Sequence, residues 1–373
     1  MTEQSRTKNS IRNIIFSLIT NVSQILLKAL VQFFFVRYFA VEYLGLNSLY
    51  ANILSILSIT ESGVGLVLVF AMYKPMAEND EEKIKQLLLF YKRIYLIISI
   101  VILLLGSALS FVLKYLVKDY ATLDINLYVI YFIFLANTIL SYLSAHRRSL
   151  FYVSQRNDIE QKIIFGCNLI HVSFQLLAIL YFKNFYFFVA TSILNTLINC
   201  TIVYIITNKL YKNLLGKPSS VLDKESKNEI KKNVFALFSH RIGGAILTGT
   251  DSIIISAFVG LTVLGKYSNY LLIVTSLGMI LSIFSKSIQG SVGNVIATKT
   301  KDEVFGIYKK INVLYIWIVS FFSVGLICLT NPFISIIFGS HMILGTTAII
   351  VIGIQFYLQY IRNVLMAFKD CCG

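Results

Sequence analysis

Charge is scarce in this chain. Only 14% of its 373 residues are Asp, Glu, Lys or Arg, and 57% are hydrophobic; a water-soluble domain carries about 25% charged residues to cover its surface. Proline is almost missing as well. Pro75, Pro218 and Pro332 are the only three, so long helices can run with few interruptions. The five cysteines have no metal-ligand spacing. Cys167, Cys200 and Cys328 sit in apolar runs and read as small core residues, and Cys371-Cys372 does not fit a prenylation box. There is no P-loop, no spaced His/Cys cluster and no pair of acids in a sizeable loop. These absences argue against an enzyme. No catalytic residue, metal ligand or cofactor site is expected. A membrane polymerase would need a large external loop, and the sequence offers none.

What the chain has is length in apolar runs. About 20 apolar residues cross the hydrocarbon core as a helix. Ten such runs are predicted: Asn13–Val36, Leu46–Tyr73, Ile94–Leu113, Ile125–Ser144, Ile159–Phe182, Tyr186–Ile206, Val234–Phe258, Tyr267–Ser285, Ile311–Leu329 and Ile343–Tyr360. The first is too long for a signal core and has no small-residue cleavage site, so it stays as a helix. The expected fold class is therefore all-α, a polytopic membrane protein. Aromatic content of 14%, with 28 Phe and 22 Tyr, suits membrane interiors and interfaces.

The surplus of positive charge, +15, is distributed by topology. Of 33 Lys and Arg residues, 26 fall before the first span or after every second one, 5 fall in the other connections, and Lys28 and Arg241 lie inside spans. The positive-inside rule puts the N-terminus in the cytoplasm. An even number of spans returns Gly373 there. The same distribution speaks against nucleic acid as a partner, because the cations do not gather on one folded face.

The longest polar stretch, 208–232, is read as a cytoplasmic linker. It separates a six-span lobe, 1–207, from a second lobe, 233–373, with four spans. An internal repeat supports this division. Leu44-Gly45-x-x-Ser48-x-Tyr50-x-x-Ile53 recurs as Leu264-Gly265-x-x-Ser268-x-Tyr270-x-x-Ile273, a shift of 220 residues. Both copies enter the second span of their half from the same side. The halves are thus expected to be parallel, pseudo-symmetric bundles.

The same shift pairs two polar stripes. Asn21, Gln24, Lys28 and Gln32 are spaced by three, four and four residues and share one face of the first span. Adding 220 gives Arg241, Gly244, Thr248 and Ser252 in the seventh span. Both stripes are expected to line a central cavity between the two lobes, because polar groups at membrane depth face a protein interior or water. Lys28 and Arg241 would make it cationic. Alternatively, Lys28 snorkels or pairs with Glu61, and Arg241 sits near the cytoplasmic end. Asp251 and Glu61 are candidates for ion coupling, or else for packing against a basic group. His240 either titrates or is structural. His171 reads as packing or a hydrogen bond.

At Phe39-x-x-x-x-Leu44-Gly45-Leu46, Thr250-Asp251-Ser252-Ile253-Ile254-Ile255-Ser256 and Leu264-Gly265-Lys266-Tyr267-Ser268-Asn269-Tyr270, the chain resembles the polysaccharide repeat-unit flippases. These belong to the superfamily that also holds MATE antiporters and lipid II flippases. Asn331-Pro332-Phe333, Phe338-Gly339 and Phe368-Lys369-Asp370 add to the likeness. The resemblance implies a MATE-like fold of two six-helix bundles in the bacterial cell membrane, so the four-span second lobe, 233–373, is expected to be incomplete by two spans. It also implies a transporter that moves an undecaprenyl-pyrophosphate-linked oligosaccharide outward for capsule, exopolysaccharide or O-antigen. Its partners would be a polysaccharide polymerase and glycosyltransferases. The competing reading is a MATE-like cation or drug antiporter with Asp251 and Glu61 as coupling carboxylates.

Overall fold

The computed structural model describes residues 3–58, 61, 63–118 and 123–372; the side chains of 3–11, 14, 238–248, 286–287, 289–291, 294, 297, 370 and 372 lie outside the described residues. Among the described residues there are helices and no strands. In chain order they are α1 (Glu3–Tyr38), α2 (Val41–Leu57), α3 (Val64–Glu78), α4 (Glu81–Ser110), α5 (Leu127–Ser141), α6 (Ala145–Val153), α7 (Asn157–Leu177), α8 (Phe185–Leu210), α9 (Lys224–Ile254), α10 (Leu261–Thr298), α11 (Lys301–Phe338), α12 (Thr346–Tyr360) and α13 (Asn363–Cys372).

The helix starts follow from local chemistry. Asp80, Asn126, Asn184 and Asp223 each turn a side-chain oxygen onto a backbone N–H of the first turn, and Thr300 with Glu303 forms a reciprocal capping box. Left-handed residues close other junctions: Asn79 (φ 57°) after α3, and Lys183 (φ 47°) after the π-turn that follows α7.

Eight described helical stretches are long and apolar enough to cross a membrane. The surface they present is apolar too. Leu104, Phe321 and Trp317 are 64%, 76% and 76% exposed, which suits lipid and not water. Two of the ten predicted spans are not among the eight. The second is corrected: it is not one helix, because α2 ends at Leu57 with Ser58 as its cap and α3 begins at Val64 with Gly63 as its cap. The sequence there, Ser58 to Gly63, is polar or glycine at every position but Ile59. The seventh lies within α9 and the π-turn Ile255–Val259, where the described apolar stretch, Gly249–Val259, is shorter than a span.

The chain forms two compact units, Met1–Leu264 and Gly265–Gly373. In the first, α1 packs on α7, α7 on α8, α8 on α5, and α9 on α2. Phe35 and Phe39 of α1 and its end meet Phe185 and Phe188 of α8 at ring separations of 5.0–6.2 Å. In the second unit, α11 packs on α12 around Tyr315, Val319, Leu326 and Phe356.

The repeated tyrosines perform one task in both units. Tyr50, fully buried in α2, donates to the carbonyl of Leu127 at 3.1 Å, at the start of α5. Tyr270, 1% exposed in α10, accepts from the N–H of Leu344 at 2.8 Å, just before α12, and donates to Asn331 Oδ1. Each thereby pins the start of a later helix. Tyr270→Phe leaves that half-buried amide without this bond and removes the bond to Asn331, and is expected to cost about 1–2 kcal/mol. Tyr50→Phe removes a single bond and costs less. Thermal unfolding of the two variants in detergent checks the order.

Candidate functional site

Three of the four polar residues predicted on the first span meet in one cavity. Gln24, Lys28 and Gln32 of α1 line it together with Asn168, His171 and Gln175 of α7. Asn47 of α2 adds a further amide, and Phe35 and Phe188 close the apolar side. The cavity holds about 370 Å³. Lys28 is exposed within it and makes no ion pair among the described residues. His171 shares a hydrogen bond of 3.2 Å with Thr191 Oγ1. Among the described residues no carboxylate lines it, and these residues present one fixed cation and five carboxamides. Such a set suits an anion flanked by hydroxyls: the ammonium answers the charge, and each amide both donates and accepts.

The sequence points to His171 only as packing or a hydrogen bond and not to Asn168 or Gln175, yet the spacing of the three by three and four is that of the α1 stripe. Asn21 is not among the lining residues. Ser252 is 2% exposed and accepts a hydrogen bond of 2.8 Å from Asn52 Nδ2, which ties α9 to α2. Asp251, half-buried on α9, is not among the residues lining the Lys28 cavity. The side chains of Arg241, Thr248, His240 and Gly244's neighbours fall outside the described residues.

Glu61 lies in the chain between the end of α2 and the start of α3. Its Oε1 accepts from Tyr95 Oη at 2.7 Å, and Tyr91 Oη donates to Tyr95 at 3.2 Å. Tyr142 packs against Tyr95, with ring centroids 5.7 Å apart, and bonds Ser58 Oγ at 2.9 Å. Space for these hydroxyls comes from Gly65, where an added Cβ would lie 3.1 Å from Tyr95 Oη and 3.3 Å from Tyr91 Oη. The alternative partner of Lys28 foreseen in the sequence is thus held by a tyrosine chain.

At the Lys/Arg-rich end, charges counted as loop cations are built into helices. Arg148 of α6 pairs with Glu160 and also reaches Asn199. Asp158, at the start of α7, gathers Arg12 and Arg156, both at 3.1 Å, and Lys162 at 3.5 Å. Both acids are buried, at 0% and 2% exposure.

The polysaccharide biosynthesis protein family matches residues 10–292 of this sequence. The chain belongs to that family. No curated protein matches it. Among solved structures, an inward-facing multidrug resistance MATE family transporter of the MOP superfamily aligns at TM-score 0.67 and 10% identity, over 95% of this chain and 86% of that one. A MATE transporter from Vibrio cholerae aligns at 0.55 and 10%, over 99% and 86%. A MOP superfamily transporter from Pyrococcus furiosus, described as having a binding pocket of reverse polarity, aligns at 0.55 and 10%, over 98% and 84%. The polysaccharide-family chain therefore has a MATE-like, polytopic all-α fold.

Proposed function

We propose that the chain is a flippase that carries an undecaprenyl-pyrophosphate-linked oligosaccharide from the cytoplasmic to the outer leaflet of a bacterial cell membrane, for capsule, exopolysaccharide or O-antigen. The observation behind this reading is the cavity at Lys28, which offers a cation and five amides and no carboxylate. A pyrophosphate entering a low-dielectric space needs a cationic partner, and sugar hydroxyls need amides. A drug cation would meet Lys28 with repulsion. Lys28 thus takes the pyrophosphate, with Arg241 of α9 as its counterpart, while Gln24, Gln32, Asn21, Thr248 and Ser252 belong to the polar path. Glu61 and Asp251 are the carboxylates through which an ion gradient would couple. In this reading the lobes 1–207 and 233–373, joined by 208–232, alternate in access with the N-terminus in the cytoplasm. An inside-negative potential then favours outward movement of the anion by about 2.3 kcal/mol per charge per 100 mV. A polymerase takes over the product and glycosyltransferases supply the substrate.

Reconstitution in vesicles tests the proposal. A fluorescent lipid-linked oligosaccharide added to one leaflet is expected to become accessible in the other severalfold faster than in protein-free vesicles. Gradient-driven uptake of organic cations, with no acceleration of the lipid, would overturn it.

A further inference from the structure

A second polar cavity lies at the Lys/Arg-rich end of the first unit, apart from the one at Lys28. It holds about 540 Å³. Lys85, Lys92 and Arg93 of α4, His146 and Arg147 of α6, and Lys217 of the linker all line it, and among the described residues no carboxylate does. The linker forms one of its walls and is fastened there. The backbone N–H groups of Ser219 and Ser220 donate to Glu82, Gln86 Nε2 donates to Ser220 Oγ at 2.7 Å, and Lys83 pairs with Asp223. Glu81 meets Lys85 at 3.7 Å from outside the cavity.

Arg147 is the most telling residue. It is 8% exposed, its guanidinium lies 3.3 Å over the ring of Tyr204, and Nη1 donates to Thr207 Oγ1 at 3.1 Å and Asn208 Oδ1 at 2.7 Å. Its Nε is buried with no hydrogen-bond partner, and no described carboxylate pairs with it. A buried arginine without a counter-ion is costly. The positive-inside rule asks only that these cations lie at this end of the spans. It does not ask that one be buried unpaired, or that a linker be fastened beside the others.

We propose that this cavity binds a phosphate or diphosphate group, as a site of its own. Arg147, with its planar fork, and Lys92, Arg93 and Lys217 supply the charge-assisted donors. The group comes either from an anionic lipid whose chain runs along Leu88, Leu89 and Leu214, which also line the cavity, or from free phosphate. Neither source requires the flippase reading.

The test is thermal unfolding of the full chain in an uncharged detergent. The probes are inorganic pyrophosphate and farnesyl diphosphate, each compared with sodium chloride at equal ionic strength. A midpoint raised by several degrees is expected with at least one probe. A rise with pyrophosphate assigns free phosphate; a rise with farnesyl diphosphate alone assigns a lipid headgroup. The triple variant Lys92→Gln, Arg93→Gln, Lys217→Gln changes only exposed residues and is expected to lose most of the rise while keeping its unliganded midpoint. Lys28→Ala is expected to keep the rise, so this site and the one at Lys28 fail or stand separately. No rise with either probe, or an equal rise in the triple variant, overturns the proposal.

Discussion

Lys28→Ala is expected to reduce export of the lipid-linked oligosaccharide by roughly 30-fold, equivalent to about 2 kcal/mol for a lost charge-assisted hydrogen bond. Among the described lining residues the lysine is the one fixed cation, and none of the lining carboxamides can take over its charge. Lys28→Arg keeps a cation on the same face of α1 and is expected to retain much of the activity. Lys28→Gln fills a similar volume without charge and should behave like alanine. Flipping rates in vesicles, with protein content matched by immunoblot, separate these outcomes. Full activity in Lys28→Gln would show that charge at this position is not used.

Glu160→Ala is expected to be the most destabilising single substitution at the Lys/Arg-rich end, by about 3 kcal/mol. Removing one partner of a buried ion pair leaves the other uncompensated. Here Arg148 would lose its carboxylate while still held among Asn199 and Ser144. The double variant Arg148→Ala, Glu160→Ala removes both charges and is expected to unfold at a higher temperature than Glu160→Ala alone. Unfolding midpoints in detergent measure both. A single variant as stable as the parent would mean that the pair contributes nothing.

The linker is expected to respond to pH through Asp223. Its hydrogen bond from Lys83, with those from the amide and hydroxyl of Ser226, holds the carboxyl below the usual carboxylate range. A carboxyl lowered by folding contributes stability in full above its unfolded value of about 3.9, and loses it as pH falls through the folded value. Amide protection at 219–226 is therefore expected to persist to about pH 4 and to decline below that. Asp223→Asn should weaken it at neutral pH, as hydrogen exchange would show.

The spans were legible because a bilayer demands about 20 apolar residues in a row, and that demand can be counted. The break in the second span was not. One polar hexamer from Ser58 to Gly63 disappears between two strongly apolar flanks when the stretch is judged as a whole. The stripe on α1 is visible because Lys28 marks it, while Asn168 and Gln175 carry no charge and leave the equally spaced His171 to read as a lone packing residue. Counting cations by loop was blind to their partners. It scored Arg148 and Arg156 as topology signals, whereas Glu160 and Asp158 bind them inside the helical packing. The pattern around Tyr50 and Tyr270 revealed the repeat, but the amide and carbonyl they hold lie 74 and 77 residues downstream, beyond the reach of any local motif.

Those two tyrosines also bear on ancestry. The sequence reading places six crossings between them, and a unit with an even number of crossings re-enters the bilayer in its original orientation when copied head to tail. A single duplication of one gene is then sufficient to make the longer chain, with no prior inversion and no pair of oppositely inserted subunits. The hydroxyl that holds a helix start in one copy would have been inherited by the other along with the task.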